Sequence, residues 1–506
     1  MIVFTIYFLI LCFVIYKTSL FGVLKDDVLN PKLFLSSFVI KITSLAGFYF
    51  VYMKLYGSIY FSDTGNFYGD SNIIHNIAFS NFGEFIKLMF GFQDDGEGSY
   101  IFENFLGPTT TWDQSADDVL YNDSRLLLRF HALIHFISFG NYFVHALFSC
   151  FLSFIGINWI YKTFKELFRE REIYFVLIWV LFPGVWFWTS GIFKEGPALF
   201  LLGLLLISLK RVIAQKNYKM KNLIMLFIAL QLSIAFKPYL MLPVLLATIV
   251  FFGVKNRTQR SVGVKYFGIL ILMIIVTNVT MQLISKKDMV TILEKRQRNF
   301  LDVSNGGLFL VNDKKFIRTV YDFSLVDIDS TQKEVKARVK PGVSYMYFMQ
   351  INMLDTLYCK NNTDSTWYTL SYVLPHSKTT IQPPVLVTDW LSFFKSIPFS
   401  VYITVCKPLF IDARNTMDIV SSIENLMILV SLFWFIYNGT KHGFRDPYYI
   451  YFLSMVIMVL ILIGTTSPNI GAMQRYRALI VPFLLLTALL SSTIKDPVSL
   501  SKFFKN

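Results

Sequence analysis

The sequence predicts an all-α polytopic membrane protein with about 11 transmembrane helices and a mixed extracytoplasmic loop domain. Hydrophobic residues make up 54% of the chain and charged residues 16%, whereas a soluble domain usually carries about 25% charged residues. Apolar segments near the length of about 20 residues that crosses a bilayer alternate with short basic loops. Unusual charged residues gather on one side of these segments. The pattern indicates a membrane protein whose chemistry lies at one membrane face.

Eleven apolar segments are predicted to span the bilayer. They are residues 1–17, 33–55, 141–161, 172–189, 195–210, 222–236, 238–253, 264–284, 423–438, 448–466 and 475–492. The first lacks a basic leader and a small-residue cleavage site, so we interpret it as a retained helix and not a signal peptide. Segment 396–410 is interpreted as a helix at the outer interface, because a further span would place Lys441 and Arg445 outside.

Basic short loops set the expected orientation. Lysines and arginines crowd the loops within 162–171, 210–221 and 255–265, which are therefore predicted to be cytoplasmic. The N-terminus then lies outside and the C-terminus inside. Three parts follow from this threading, namely 1–284 with the outer loop 56–140, the extracytoplasmic loop domain 285–395, and the C-terminal part 396–506.

Charge and cysteine usage limit the partners and cofactors. The net charge of +14 sits largely in loops beside apolar helices, where it favours contact with membrane lipids and not nucleic acid. Four scattered cysteines predict neither a zinc site nor a disulfide framework. Motifs of the GxxxxGK[ST] and GxGxxG types are absent from the sequence, so no nucleotide cofactor is predicted.

The first outer stretch contains two candidate catalytic residues, Asp63 and Asp70. Residues seven apart share a helix face, so both carboxylates could point into one cavity. A carboxylate there could deprotonate an acceptor hydroxyl or hold a divalent cation. A pair of solvated or helix-capping aspartates is the alternative interpretation.

Two further pairs in this stretch have helical spacing. Arg125 and Arg129 are four apart, as are His131 and His135, so each pair lies on one helix face. The arginines could grip a lipid phosphate through bidentate contacts, although ordinary headgroup anchoring explains them equally well. The histidines lack an HExxH motif or a nearby third ligand, and no metal site is predicted.

A short outer turn follows Pro183 and leaves Lys194 and Glu195 at the start of an apolar helix. Charges at the bilayer edge are costly unless paired or hydrated, and adjacent helix residues do not face each other. Each side chain therefore needs a partner elsewhere in the fold. Substrate binding and a structural salt-bridge network both remain open for this pair.

Other charged residues open helices on the same predicted face. Cations at helix starts oppose the macrodipole and call for a compensating anion, for which a lipid phosphate or pyrophosphate is the natural candidate. The candidate substrate-binding residues are Arg125, Arg129, Lys194, Glu195, Lys237, Lys407, Arg414, Glu424, Arg475 and Arg477.

These motifs resemble a group of bacterial polytopic proteins from cell-surface polysaccharide loci. The resemblance lies in Pro-x-x-x-Phe-Trp-x-Ser-Gly-x-x-Lys-Glu at 183–195, in Lys407 to Glu424-Asn425, and in Arg-Tyr-Arg at 475–477. More distantly, the arrangement is similar to the GT-C glycosyltransferases, which take a sugar from a polyprenyl-phosphate carrier. That similarity implies Asp63 as the base. The chain departs from the pattern because the acidic loop follows the second helix and an acidic doublet is missing.

The resemblance implies an inverting membrane glycosyltransferase of cell-envelope polysaccharide synthesis. Its partners would be a polyprenyl-phosphate-linked sugar and a glycan or lipid acceptor, with the active site on the periplasmic or exterior side of a bacterial inner membrane. A repeat-unit polymerase or ligase of O-antigen or capsule is one alternative. A lipid-oligosaccharide flippase or transporter is the other. Alternation of apolar and polar residues at 344–349 predicts strand structure in the loop domain, which could cover the cavity or select the acceptor.

Overall fold

The structure is a computed structural model that describes most of the chain. The described residues are 2–21, 31–92, 99–112, 124–254, 262–285, 287–312, 315–319, 325–330, 334–349, 356–374, 377, 379–413, 416–442, 447–492, 495 and 497. Arg414, one of the predicted substrate-binding residues, lies outside this part, as do Arg445 and the side chain of Lys441.

Helices dominate the N-terminal part. Their bounds are α1 Ile2–Phe21, α2 Pro31–Tyr56, α3 Asp63–Ser80, α4 Phe82–Phe90, α5 Ser124–Ser138, α6 Tyr142–Phe164, α7 Glu172–Leu181, α8 Pro183–Trp188, α9 Glu195–Leu209, α10 Met220–Phe236, α11 Pro238–Val254 and α12 Val262–Ser285. Within α3, a Cβ at Gly65 would collide with the backbone of Ile59 and Tyr60. The absence of a side chain therefore lets the start of α3 approach the preceding turn.

The loop domain begins with helix α13 Met289–Asn305 and continues as a sheet. Its strands are β1 Gly307–Asn312, β2 Lys315–Thr319, β3 Val326–Asp329, β4 Lys336–Val339, β5 Tyr345–Met349, β6 Thr356–Cys359 and β7 Tyr368–Leu374. All neighbouring strands pair antiparallel, in the order β3-β4-β7-β1-β2-β5-β6. Strand β5 confirms the strand structure predicted from the alternation at 344–349.

Alternate residues of β1 form one side of the small core beneath the sheet. Leu308 and Leu310 are fully buried and pack with Val326, Val339 and Tyr368, as the two-residue side-chain period of a strand requires. The domain therefore has its own apolar core.

The chain then returns to helices. These are α14 Trp390–Cys406, α15 Thr416–His442, α16 Pro447–Thr466, α17 Ile470–Arg477 and α18 Val481–Ser491. The segment that follows β7 contacts the start of α17. There the backbone N–H of Ile381 donates to the Pro468 carbonyl, and that of Ile470 donates to the Thr379 carbonyl. The Asn469 side chain caps α17 by accepting from Ala472 at 3.3 Å. The loop domain is thus tied directly to the helix that carries Arg475 and Arg477.

Several helices have the dimensions of membrane spans. Among the described residues, five are long and apolar enough to cross a bilayer, or six if the bent pair α17 and α18 is one span. They lie at 32–55, 142–167, 195–214, 264–283 and 447–466. Shorter apolar helices occur at 2–17, 172–181, 220–236, 238–252 and 390–406. The protein is therefore mostly helical, with dimensions that fit a multi-pass membrane protein.

Two predicted spans are interrupted. The segment 172–189 breaks at Phe182, and Pro183 opens the short helix α8, because proline lacks an N–H and is favoured in the first turn of a helix. The segment 475–492 instead contains the end of α17 and all of α18, which meet at an angle of 53°. Both breaks lie beside the charged residues described below.

Close backbone contacts hold the bundle together. A Cβ at Gly156 would collide with the Leu199 carbonyl, and one at Gly203 would collide with Gly156, so α6 and α9 cross with their backbones touching. A Cβ at Gly464 of α16 would collide with the Ser400 carbonyl of α14 in the same way. Small residues allow this close approach between membrane helices. Helix α14 therefore packs along α16 within the bundle.

Candidate functional site: a charged cluster at one end of the bundle

Glu195, Lys237 and Arg475 meet where α9, α11 and α17 come together. Lys237 Nζ lies 2.5 Å from Glu195 Oε1, and both side chains are at most 2% exposed. Arg475 Nε lies 3.6 Å from the same oxygen. A buried carboxylate thus contacts two cations, which satisfies the need for a partner that the sequence indicated for Glu195.

Asp63 joins this cluster from the first turn of α3. Its Oδ2 accepts a hydrogen bond of 3.2 Å from Arg475 Nη1. The Asp63 side chain is 68% exposed, whereas that of Glu195 is 2% exposed. One guanidinium therefore bridges a buried carboxylate and an open one.

The start of α3 is fixed in place by its neighbour Thr64. Thr64 Oγ1 accepts the backbone N–H of Ile192 at 3.0 Å and lies 2.6 Å from the hydroxyl of Tyr142. These bonds tie α3 to the turn before α9 and to the start of α6. They explain why residue 63 lies beside Glu195 although 132 residues separate the two in sequence.

Lys194 and three aromatic rings complete the cluster. Lys194 Nζ lies 5.8 Å from the centre of the Phe67 ring. Arg475 stacks over Phe193 and Tyr476 at 5.1 and 5.2 Å, and Lys237 lies 5.1 Å from the Tyr476 ring. Cations over ring faces are attracted by the ring quadrupole, most strongly when they are shielded from water.

The charged residues of this region are Asp63, Lys194, Glu195, Lys237 and Arg475. We call this set of five residues the charged cluster. Arg475 contacts both carboxylates, and its contact with Asp63 lies at the exposed side. An anion that approached from that side would meet the guanidinium of Arg475.

Lys41 supports the turn before α9, although the sequence analysis assigns it no role. It is fully buried in α2, and its Nζ donates to Ser190 Oγ at 2.8 Å and to the Trp186 carbonyl at 3.0 Å. It also approaches the Val185 carbonyl at 3.4 Å. A lysine is a suitable additional donor to the carbonyls at the end of α8, which also accept from the hydroxyls of Thr189 and Ser190.

Arg477 and Glu424 form a second, separate pair. Arg477 is fully buried, and its Nη2 lies 3.2 Å from Glu424 Oε1. It also donates to the Asn425 side chain and to the Thr404 carbonyl, and Asn425 in turn donates to the Pro408 carbonyl at 2.7 Å. These contacts hold α14, α15 and α17 together. Arg477 and Glu424 therefore stabilise the packing of these three helices.

Asp70 is also occupied by structural hydrogen bonds. It is 4% exposed, and it accepts from the backbone N–H groups of Thr110 and Thr111 at 3.1 and 2.7 Å. Both threonine hydroxyls donate to it as well, at 3.3 and 2.5 Å. The two aspartates predicted to share a face therefore differ, since Asp70 anchors the loop that carries Thr110 and Thr111, whereas Asp63 is exposed.

Arg125 and Arg129 also contact residues of the stretch 56–140 itself. Their guanidinium groups lie 5.1 and 5.3 Å from the ring of the buried Trp112. Arg125 Nε donates to the Trp112 carbonyl at 3.2 Å, and Arg129 Nε donates to that of Leu88 at 2.9 Å. They clamp the loop that carries Thr110 and Thr111 onto α5.

Four histidines lie close together between α3, α5 and α6. His131 and His145 approach each other at 3.1 Å through their Nδ1 atoms, and the rings of His135 and His145 are 4.2 Å apart. His135 Nε2 is 3.1 Å from Ser71 Oγ, and its ring is 5.5 Å from that of His75. In the described part of the chain, no group of three or more His, Cys, Asp or Glu residues is arranged to hold a metal ion.

Lys407 pairs locally and not with the charged cluster. Its Nζ lies 2.9 Å from each carboxylate oxygen of Asp412, and this contact raises the pKa of Lys407. Arg414, placed in the same group by the sequence, lies outside the described residues.

The charged cluster can therefore bind an anion and offer an exposed carboxylate beside it. A phosphate would draw Arg475 away from Asp63 and free the latter to accept a proton. No protein-family model, curated protein or solved structure matches the chain.

Proposed function

We propose that the protein transfers a sugar from a polyprenyl-phosphate carrier to an extracytoplasmic glycan or lipid acceptor, as an inverting GT-C-like glycosyltransferase. The observation that carries the proposal is the bridge from Arg475 to both Asp63 and Glu195 at the end of an apolar helix bundle. It combines an anion-binding guanidinium with an open carboxylate. Both are needed to break a sugar–phosphate bond by attack of a hydroxyl.

The proposed reaction is one displacement. Asp63 accepts the proton of the acceptor hydroxyl while the oxygen forms a bond to the anomeric carbon. The bond from that carbon to the phosphate oxygen breaks, and its electron pair stays on the phosphate. Arg475 and Lys194 stabilise the negative charge that develops on the leaving group.

Asp63 suits the role of base better than the other two carboxylates near this face. Glu195 is buried and contacts Lys237 at 2.5 Å, so it serves to hold the two cations. Asp70 accepts hydrogen bonds from the backbone N–H and the hydroxyl of both Thr110 and Thr111. Asp63 makes an exposed contact with Arg475, which an incoming phosphate can replace.

The proposed topology has about 11 spans when the shorter apolar helices and the two interrupted segments are counted with the long ones. The charged cluster would then face the periplasm or exterior of a bacterial inner membrane. The N-terminus would be outside and the C-terminus inside, because the basic loops would remain in the cytoplasm. The positions of reporter tags at both ends test this arrangement.

The reaction is tested in membranes supplied with polyprenyl-phosphate sugar. Asp63→Asn should lower the turnover by about 10²–10⁴, the usual contribution of a general base. Asp70→Asn is the matched control on the same helix, and it should retain turnover per folded molecule. Equal turnover in Asp63→Asn and the unaltered protein would remove the base from the proposed mechanism.

Arg475→Ala separates donor binding from chemistry. Loss of a phosphate contact already present in the ground state should raise the donor KM, whereas Asp63→Asn should chiefly lower kcat. A donor KM unchanged in Arg475→Ala would show that the phosphate binds elsewhere.

A further inference from the structure

An exposed apolar patch lies on the helices that connect α2 to α6. Its side chains come from the end of α3, from one face of α4, and from the last turn of α5 with the residue after it. They are Phe79, Phe82, Ile86, Phe90, Phe136 and Phe139. We call these six side chains the apolar patch.

The apolar patch is large for a surface that faces water. Four of its phenylalanines are 63–80% exposed, and Ile86 and Phe136 are each more than one third exposed. At roughly 200 Å² for a whole side chain, the six together expose on the order of 700 Å². Soluble monomers rarely expose a contiguous apolar patch of more than a few hundred Å², and larger patches mark contact with a protein or a membrane. The patch therefore calls for an apolar partner.

Helix α4 separates its exposed apolar side chains from its charged ones. Phe82, Ile86 and Phe90 are spaced by four residues, which places them along one face of the helix. Lys87 and Glu84, which form an ion pair of 2.8 Å, lie about 130° further around the helix at 100° per residue. A helix divided in this way can lie in the plane of a membrane surface with its apolar face in the lipid.

Aromatic contacts join the face of α4 to α3 and α5. The ring of the buried Phe85 lies 6.2 Å from that of Phe82 and 5.9 Å from that of Phe136. The Phe136 ring in turn lies 5.8 Å from that of Phe79. The patch is therefore one surface across three helices.

The patch adjoins the point where the chain enters a membrane-length helix. Phe139 is three residues before Tyr142, the first residue of α6, which is long and apolar enough to cross a bilayer. The Tyr68 hydroxyl of α3 donates to the Gly140 carbonyl at 2.8 Å, and Thr64 Oγ1 lies 2.6 Å from the Tyr142 hydroxyl. Helix α5 also packs against the apolar helix α10. These contacts hold α3 and α5 against the end of the bundle.

The neighbouring sequence offers no apolar cover for the patch. Residues 93–98 and 113–123, which lie outside the described residues, contain seven Asp or Glu and no Lys or Arg. Segments of this composition favour water over contact with phenylalanine rings, because a buried carboxylate without a partner is costly. The apolar phase next to the patch is the bilayer that surrounds α6.

We infer that the apolar patch inserts into the bilayer leaflet at the end of the bundle that carries the charged cluster, with α4 lying along the membrane surface. The stretch 56–140 would then be partly embedded in lipid, and not a loop surrounded by water. The inference does not depend on sugar transfer, because it rests on the exposed side chains and on their position beside α6.

This placement sets the depth of Asp63. Asp63 and Phe79 are 16 residues apart on α3, which is about 24 Å at 1.5 Å per residue. A helix standing along the bundle axis would carry Phe79 out of the bilayer, so α3 lies close to the membrane surface. Asp63 and Arg475 then lie near the depth of the lipid headgroups, where a lipid-linked phosphate arrives without leaving the membrane.

Spin-label accessibility tests the inference in the full-length protein in nanodiscs. The four cysteines are replaced, and a nitroxide is attached at Phe82→Cys, at Phe90→Cys, or at Lys87→Cys as the matched control on the same helix. At positions 82 and 90, collisions with O₂, which concentrates in lipid, should be several times more frequent than collisions with a water-soluble nickel chelate. Position 87 should show the reverse preference.

Two results of this measurement would overturn the inference. Equal and high access of the nickel chelate at all three positions would place α4 in water. Low access of both reagents at positions 82 and 90 would show that protein covers the patch, either another part of this chain or a second copy.

Added charge tests whether the patch itself holds α4 at the membrane. A nitroxide at Ile86→Cys should prefer O₂, and this preference should be lost in the double variant Phe82→Glu/Phe90→Glu but kept in the control Lys87→Gln. A second label at Phe227→Cys, on the exposed side of α10, should keep its O₂ preference in both variants and so report an intact bundle. An unchanged preference at position 86 in the double variant with an intact bundle would contradict the inference.

Discussion

The buried contact between Glu195 and Lys237 should respond unequally to removal of its two partners. Lys237→Met leaves Glu195 with Arg475 at 3.6 Å, so the carboxylate keeps a cation beside it. Glu195→Gln leaves Lys237, with a side chain 1% exposed, without the carboxylate it contacts at 2.5 Å. The second change therefore strands a buried charge, and the first does not.

The expected magnitudes follow from that difference. Stranding a buried charge costs about 3–5 kcal/mol, whereas loss of a hydrogen bond to a charged group costs about 1.5–3 kcal/mol. We expect Glu195→Gln to lower the free energy of unfolding by the larger amount and Lys237→Met by the smaller. The double variant Glu195→Gln/Lys237→Met should be more stable than Glu195→Gln alone, because it removes the stranded ammonium.

The assay is reversible unfolding in mixed micelles titrated with SDS, followed by circular dichroism. The double-mutant cycle should give a coupling of about 1–3 kcal/mol between the two residues. Equal losses for the two single variants, or a double variant no more stable than Glu195→Gln, would refute the assignment of Glu195 as the shared partner of two cations.

Three other perturbations have definite expected outcomes. Gly464→Ala should destabilise the protein by about 1–3 kcal/mol, measured by the same unfolding assay, because the added methyl collides with the Ser400 carbonyl across α14 and α16. Lys41→Met should lower the transfer rate per folded molecule, because it removes the hydrogen bonds to Trp186 and Ser190 that hold the turn before α9; an unchanged rate would show that this turn does not position the charged cluster. Burial lowers the pKa of His135 to about 4, below its unfolded value of about 6.5. The unfolded state then binds more protons, so stability should fall as the pH drops from about 6.5 towards 4, and His135→Gln should weaken that dependence in thermal unfolding followed from pH 7 to pH 5.

The helices could be predicted from the sequence because a bilayer requires long apolar runs with internally satisfied backbones. Each of the eleven predicted segments contains a helix. The interruptions at Phe182 and at 478–480 were missed, although Pro183 and Pro482 mark the first turns of α8 and α18. Hydropathy alone averages over such breaks, so two interrupted segments were interpreted as continuous.

Part of the charged cluster could also be predicted. Charges at helix starts on one face need partners, and Asp63, Glu195 and Arg475 all lie on the same predicted face. The sequence pattern does not separate Arg477 from Arg475. These two arginines are only two residues apart but contact different carboxylates, Glu424 and Glu195. It also gave no role to Lys41, whose partners Trp186 and Ser190 are about 150 residues away in sequence and depend on how α2 packs against α8.

The loop domain was the least predictable part. Alternation indicated β5, but the strand order places β7 between β4 and β1. Pairing between strands that are far apart in sequence depends on how the chain between them folds, which the local residue pattern does not show. Gln297 of α13 likewise contacts Pro384, Leu386 and Thr465, which are 87, 89 and 168 residues away in sequence.

The central claim, sugar transfer at the charged cluster, is tested most directly by product stoichiometry. The purified protein in vesicles is supplied with a panel of polyprenyl-phosphate sugars and candidate acceptors, and both glycosylated acceptor and released polyprenyl phosphate are measured. We expect one polyprenyl phosphate to be released for each sugar transferred, with a rate about 10²–10⁴ lower in Asp63→Asn. Transfer that continues undiminished in Asp63→Asn, or sugar movement across the bilayer with the sugar–phosphate bond intact, would contradict it.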